Sequence, residues 1–198
     1  MAGSTHGKHK LPLLLVDGYN VIGATEVYSS LIEEHAGAGA LADVAHLSRD
    51  PYGHDPFDAA RYALMNDVAT YAQGRYDAVV VFDASYNLSD ERPAFSPGGV
   101  RMVFSRTGES ADTVIERYAV RARERGREVL LVTSDNVIRA TVGGIPITTV
   151  SSQLLVRDIQ ATNNEVAEAR EERTHMHMTM EDRLDPTTRD ALWKLLGR

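Results

Sequence analysis

The chain has 198 residues, of which 43% are hydrophobic and 25% charged, as is ordinary for a soluble globular protein. It contains no cysteine, which excludes disulfides, thiol catalysis and cysteine–zinc sites and favours a cytoplasmic protein. The net charge of −7 argues against a protein that coats nucleic acid through a broadly basic surface, and no apolar run approaches the roughly 18 residues of a membrane span.

The chain divides by composition into a tail, one large domain and an extension. We expect residues 1–10 to form a disordered tail and residues 11–160 to form the domain. Residues 36–54 are rich in glycine and predict a flexible insertion, whereas residues 161–198 predict a helical C-terminal extension. A short amphipathic helix carrying Trp193 is expected to dock on the domain or on a second subunit, which would make a homodimer.

Five short apolar runs predict β-strands. Nearly continuous aliphatic runs of this length are typical of strands that are buried on both faces of a parallel sheet. The third run alternates more clearly, which predicts a place nearer the edge of the sheet. The five runs are Leu13–Val16, Ala78–Phe82, Val100–Phe104, Val129–Val132 and Ile147–Val150.

Helical patterns alternate with these runs. Asp55 followed by Pro56 predicts a helix start, and Gly74 predicts its end. A second helix is predicted from near Ser110 to Gly126, and a third after residue 151 or 152. The alternation predicts an α/β fold with a central, mostly parallel sheet flanked by helices.

Carboxylates follow three of the predicted strands. Asp17, Asp83 and Asp135 each stand at or just after the end of an apolar run, and Asp112 occupies about the second position of the helix that begins near Ser110. In open α/β sheets the functional crevice lies beyond the carboxyl ends of the strands. If the strands are parallel neighbours, all four acids therefore open into one crevice.

Four converging carboxylates require protons or cations, and ligand sets made only of oxygen favour Mg²⁺ or Mn²⁺. Such ions activate water and stabilise the charge on a phosphodiester during hydrolysis. Asn20 is placed to hydrogen-bond a carboxylate or a phosphate, and Gly18 would let the backbone approach a ligand closely. A single aspartate after a strand is, however, commonly a turn residue or a helix cap, and the residues alone leave both interpretations open.

Four segments, which follow one another along the chain in the family's order, resemble the YacP-like NYN-domain proteins, which are relatives of the PIN-domain nucleases. The first, VDGYNVIGA, is the most specific, and the ordered set covers about residues 11–160. The segments are Val16–Ala24, Val81–Ala84, Glu109–Glu116 and Val132–Asp135.

This resemblance implies a three-layer PIN-like fold and a metal-dependent endoribonuclease, with some relatives acting on ribosome-associated mRNA. RNA, and in such cases the ribosome, would be the partners, with Mg²⁺ or Mn²⁺ as cofactor. The resemblance implies that the metal ligands are Asp17, Asp83, Asp112 and Asp135, and that these residues together with Asn20 form the catalytic site.

Basic and aromatic residues near the acidic segments are candidates for RNA contacts. Arg92, Arg101 and Arg106 flank the second and third predicted strands, and we expect them to bind RNA phosphates. The arginines between positions 121 and 127 are better explained as a solvated helix end that complements the helix dipole. Tyr19 would either stack on a base or pack in the core.

Two other functions remain open at this stage. The first is a non-catalytic RNA- or ribosome-binding module with the same fold, which would bind RNA without EDTA-sensitive cleavage. The second is a Mg²⁺-dependent phosphatase with an aspartate nucleophile, although no Asp-x-Asp pair follows the apolar runs at Leu13 and Ala78.

Overall fold

The computed structural model describes residues 11–36, 55–84, 96–136, 138, 147–181 and 194. The predicted N-terminal tail, nearly all of the predicted insertion, Arg92 and most of the helix around Trp193 lie outside these residues. The expectations for those segments therefore stay predictions.

A five-stranded sheet forms the centre of the domain, and every pair of neighbouring strands is parallel. The order is β3-β2-β1-β4-β5, so β1 lies in the middle, between β2 and β4. This confirms the predicted α/β fold with a parallel sheet, and it places the third strand at an edge, as its alternating pattern predicts. The strands are β1 (Leu13–Asp17), β2 (Asp77–Phe82), β3 (Arg101–Phe104), β4 (Val129–Val132) and β5 (Thr148–Val150).

Five helices flank the sheet among the described residues. Two of them, α1 and α2, occupy a stretch for which the sequence pattern predicts no helix, because α1 has only two turns and its apolar residues follow the strand directly. Val21, Ile22, Tyr28 and Ile32 of this stretch are nevertheless fully buried. The helices are α1 (Gly18–Ala24), α2 (Glu26–Ala36), α3 (Asp58–Ala72), α4 (Ala111–Glu124) and α5 (Ser152–Glu181).

The two faces of the sheet are covered by different helices. Leu13 and Leu15 belong to an apolar cluster with α4, whereas Leu14 and Val16 belong to a cluster with α1, α2, α3 and the first turns of α5. Adjacent residues of β1 therefore point into two separate cores. Because both faces are covered, the central strands read as continuous apolar runs rather than as alternating ones.

The start of α3 differs from the predicted one and contains a buried arginine. The helix begins at Asp58 rather than at Pro56, and Asp55 accepts a hydrogen bond from the backbone amide of Phe57 at 2.9 Å. The other oxygen of Asp55 pairs with Arg61 at 2.7 Å, and Arg61 is 1% exposed. Arg61 also donates to the hydroxyl of Tyr19 at 2.6 Å. A buried charge needs such partners, and these contacts hold α3 against α1.

The chain separates into two compact units, Met1–Ile159 and Gln160–Arg198. The first contains the sheet and the first turns of α5, and the second contains the remainder of α5. No helix within the described ranges combines the length and the apolar character needed to cross a membrane.

Candidate active site

Three of the four predicted acids lie at the carboxyl ends of adjacent strands. Asp17 is the last residue of β1, Asp83 directly follows β2, and Asp135 comes three residues after the end of β4. Because β2, β1 and β4 are neighbours and parallel, these ends lie along the same edge of the sheet. We use the name acidic edge for this side of the sheet, where the strands have their carboxyl ends, together with Asp17, Asp83, Asp135 and Asp112.

The fourth acid, Asp112, reaches the acidic edge through α4. Ser110 caps this helix by accepting a hydrogen bond from the backbone amide of Thr113 at 3.3 Å, which places Asp112 in the first turn. The helix packs across β1, β2 and β4, and the backbone amide of Ala111 donates to Asp83 at 3.1 Å. The start of α4 is thereby attached to the end of β2.

Asp17 is the most buried of the four acids, with 8% exposure. One carboxylate oxygen accepts from the backbone amide of Asn20 at 3.2 Å, and the other accepts from the hydroxyl of Thr133 at 3.4 Å. Burial raises the pKa of Asp17 to about 6. The amide of Asn20 partly opposes this shift, whereas the negative charges of Asp112 and Asp135 add to it.

The pKa of Asp112 is also affected by neighbouring acids. Its pKa is raised, first by partial burial and then by the charges of Asp135 and Asp83. The charge of Asp112 in turn contributes to the raised pKa of Asp17, so the two raised pKa values reflect all four acids. Such a group holds extra protons or attracts a cation.

The donor set suits a hard divalent cation that keeps part of its water shell. All four groups offer only oxygen, as Mg²⁺ and Mn²⁺ prefer. Among the residues that the structure describes, no three acidic or histidine side chains stand close enough together to enclose an ion by themselves. Mg²⁺ commonly retains several waters and binds through one or two carboxylates, so the arrangement fits a partly hydrated ion.

Asn20 has a different set of contacts from the expected one. Only its backbone amide reaches Asp17, while its side-chain oxygen accepts from the backbone amide of Ser134 and from the hydroxyl of Ser152, both at 2.7 Å. It therefore joins α1 to the end of β4 and the start of α5. Asn20 positions the strand ends around Asp17 through these bonds.

Gly18 and Tyr19 also serve packing. A Cβ atom at Gly18 would overlap the ring of Phe82, so the close contact of α1 with β2 requires glycine at this position. Tyr19 packs edge-to-face against Phe57 and Phe82 at 5.4 and 5.0 Å between ring centroids. Its ring is therefore partly buried against the core, as one of the two expectations for Tyr19 has it.

Three hydroxyl residues of the site are not among those predicted from the sequence. Thr133 contacts Asp17, and Ser134 and Ser152 contact Asn20 or each other. Their signal was present, because short hydroxyl-bearing runs follow both β4 and β5, but the same runs are common in turns.

The predicted RNA-binding arginines lie at two different places. Arg106 follows the carboxyl end of β3 by two residues and is therefore on the side of the acidic edge. Arg101 is the first residue of β3 and therefore lies on the opposite side, at the amino ends of the strands, where it pairs with Asp77 at 3.4 Å.

Two solved structures of similar fold are of the same protein. Two crystal structures of Rae1 (YacP) from Bacillus subtilis, one of them a mutant, are 24% identical to this chain. The mutant structure has a TM-score of 0.58 and the alignment covers 92% of this chain and 98% of the other. For the second structure the TM-score is 0.55 and the coverages are 94% and 90%. A comparison with curated proteins gives no match.

The profile of the YacP-like NYN domain matches residues 41–196. This range contains Asp83, Asp112 and Asp135, whereas β1 with Asp17 precedes it. The match extends over most of the chain and includes three of the four motif segments, whereas the first, Val16–Ala24, precedes it. The chain therefore belongs to the family of YacP-like NYN domains.

Proposed function

We propose that this protein is a Mg²⁺- or Mn²⁺-dependent endoribonuclease that hydrolyses phosphodiester bonds in RNA. The observation that carries the proposal is the placement of Asp17, Asp83 and Asp135 at the carboxyl ends of adjacent parallel strands, with Asp112 in the first turn of the helix that packs across them. Membership of the family supports it, because NYN and PIN-like domains are in general nucleases that use divalent metals.

Asp17, Asp83, Asp112 and Asp135 would hold the cation, directly or through water. When bound, such an ion supplies positive charge to the phosphodiester and lowers the pKa of water, so that no side-chain nucleophile is needed. The protein orients the carboxylates: Thr133 and the amide of Asn20 fix Asp17, and the amide of Ala111 fixes Asp83. The partial positive charge at the start of α4 favours anions at this edge.

A non-catalytic RNA-binding module is the second candidate. One observation favours it: within the described residues, no three acidic or histidine side chains enclose a cation unaided. The phosphatase alternative is weaker, because a nucleophilic aspartate must be accessible. Asp17 is buried and both its oxygens accept hydrogen bonds.

Cleavage of a labelled single-stranded RNA in Mg²⁺, in Mn²⁺ and in EDTA tests the proposal. We expect the wild type to cleave only with metal, and Asp17→Asn to lose about 100-fold or more of the rate, since a ligand should matter at least as much as its supporting residues. Glu165→Gln is the matched control, because Glu165 is an exposed acid of α5. Full activity of Asp17→Asn, or RNA binding without any cleavage by the wild type, would refute the nuclease proposal.

We infer ribosome-associated mRNA as the substrate, following the resemblance to the family. Cleavage of one message, free and in isolated ribosome complexes, tests this inference. We expect faster cleavage in the complexes; equal rates would limit the substrate to RNA in general.

A further inference from the structure

A groove lined with arginine runs along α4, outside the acidic edge. It consists of two adjoining cavities of about 240 and 470 Å³, which share Tyr118 and Arg121. Val103, Phe104 and Val114 form part of its floor. We call it the arginine groove. The arginines that line it are Arg101, Arg106, Arg117, Arg121, Arg125 and Arg127.

The arginine groove runs from the carboxyl ends of the strands towards their amino ends. Arg106 lies just beyond the carboxyl end of β3, shortly before the helix turn that carries Asp112, whereas Arg125 lies at the far end of α4. The two ends of α4 are about 20 Å apart, because an α-helix rises about 1.5 Å per residue. Because β3 is an outermost strand of the sheet, the groove lies at an open side of the sheet.

Three of the six arginines are paired with acids. Asp77 pairs with Arg101 at 3.4 Å and with Arg127 at 2.8 Å, and Glu109 pairs with Arg117 at 2.6 Å. Arg127 also donates to two backbone carbonyls at the start of the domain. These three arginines are therefore held in place within the protein.

Arg121 and Arg125 have no acidic partner among the residues that the structure describes. Arg106 makes no ion pair there, but its backbone amide donates to Glu109 at 3.4 Å and its charge acts on that carboxylate. Arg121 and Arg125 are four residues apart on the same helix face, where like charges destabilise a helix by a few tenths of a kcal/mol. The dipole of α4 favours basic residues at its end, but it does not explain why Arg101 and Arg106 of other segments line the same groove. An anion in the groove would relieve this repulsion.

We propose that the arginine groove binds the phosphodiester backbone of a single-stranded RNA that extends away from the acidic edge. The proposal rests on the proposed function, because it places the rest of the substrate relative to the four acids. Arginines beside apolar and aromatic side chains are the usual means of holding single strands without sequence preference. A substrate that continues for several nucleotides on one side of the cut would then bind more tightly than a short one.

The charge of the groove can be tested with a matched control on the same helix. Arg121→Ala with Arg125→Ala removes two unpaired charges, and Arg123→Ala removes an exposed charge of α4 that lines neither cavity. Binding of a fluorescein-labelled single-stranded RNA is measured by anisotropy in EDTA over a range of salt concentrations. We expect the double variant to bind about tenfold more weakly and its salt slope to fall by about 1.4, or about 0.7 for each phosphate contact.

The outcome for Arg123→Ala decides whether the groove or only the overall charge matters. We expect this variant to bind as the wild type does. A loss of binding free energy per removed charge that equals that of the double variant overturns the proposal, as does unchanged binding by the double variant. Binding is measured in EDTA, which prevents metal-dependent cleavage, so the two proposals can fail separately. Binding that depends on the groove, together with no cleavage in Mg²⁺, would support the groove proposal and refute the nuclease proposal. Metal-dependent cleavage with groove-independent binding would do the reverse.

Discussion

Opposing effects act on the pKa of Asp17. Hydrogen bonds from Asn20 and Thr133 favour the ionised carboxylate, while burial and the charges of Asp112 and Asp135 favour the protonated form. Burial prevails, and the pKa of Asp17 is raised from 3.8 to about 6. In the absence of metal, the ionised side chain is therefore a cost to the folded state near neutral pH.

Replacement of this carboxylate should stabilise the metal-free protein. Below pH 3.8 the group is protonated in both states; between 3.8 and about 6 the folded state holds the proton more tightly, so stability falls as pH rises. Above about pH 6 the cost is complete, at about 3 kcal/mol from 1.36 kcal/mol per pKa unit. We expect Asp17→Asn in EDTA to have a higher free energy of unfolding than wild type at about pH 8 and a similar one at about pH 4.

Urea unfolding of both proteins across this range provides the measurement. Glu165→Gln should leave the pH dependence unchanged, because Glu165 is exposed. A stability difference that does not vary with pH would contradict the assignment of the shift to Asp17.

At the scale of elements, α4 connects the acidic edge with the arginine groove. Its first turn carries Asp112 and holds Asp83 through the amide of Ala111, and its later turns carry Arg117, Arg121 and the apolar residues that cover one face of the sheet. The position of the helix start therefore affects two of the four acids.

Removal of the cap of α4 should weaken both stability and catalysis. Ser110→Ala loses the bond to the amide of Thr113, and a lost N-cap costs about 1 kcal/mol. We expect cleavage by this variant to fall severalfold, because Asp112 and Asp83 are less well fixed. Ser110→Asp restores a capping oxygen and should recover stability and most of the activity. If Ser110→Ala cleaves at the wild-type rate despite the measured loss of stability, the start of α4 does not limit catalysis.

At the scale of the whole molecule, charge is separated within a chain whose net charge is −7. Four acids occupy one edge of the sheet, and arginines line a groove that begins near that edge and continues to the other. The two proposals thus place phosphate binding and cation binding on adjacent surfaces. The repulsion among the acids should be relieved when a divalent cation binds.

Mg²⁺ should therefore raise the melting temperature of the protein without any substrate. A ligand at 100 times its dissociation constant stabilises the folded state by about 2.7 kcal/mol. We expect a concentration-dependent increase in wild type that Asp17→Asn largely loses, measured by thermal unfolding at about pH 8 with Mg²⁺ and with EDTA. An identical increase in both proteins would show that the ion binds elsewhere.

The amino-acid sequence alone determined the local features of this protein. Apolar runs and their breaks located the five strands, and the sequence around Ser110 and Gly126 located α4 closely, because a capping serine and a glycine with φ 64° act on adjacent residues. The motif segments indicated the family and the four acids. The extent of α1 and α2 was missed because their burial depends on residues far along the chain.

The tertiary structure decided which of these residues meet. Only the strand order places the ends of β2, β1 and β4 side by side, and only the crossing of α4 over β1 and β2 brings Asp112 to them. The bond from Ser152 to Asn20 joins residues 132 positions apart, and the arginine groove combines residues from β3, α4 and the turn after it. Local periodicity describes which face of an element is apolar, but it carries no information about which distant element packs against that face.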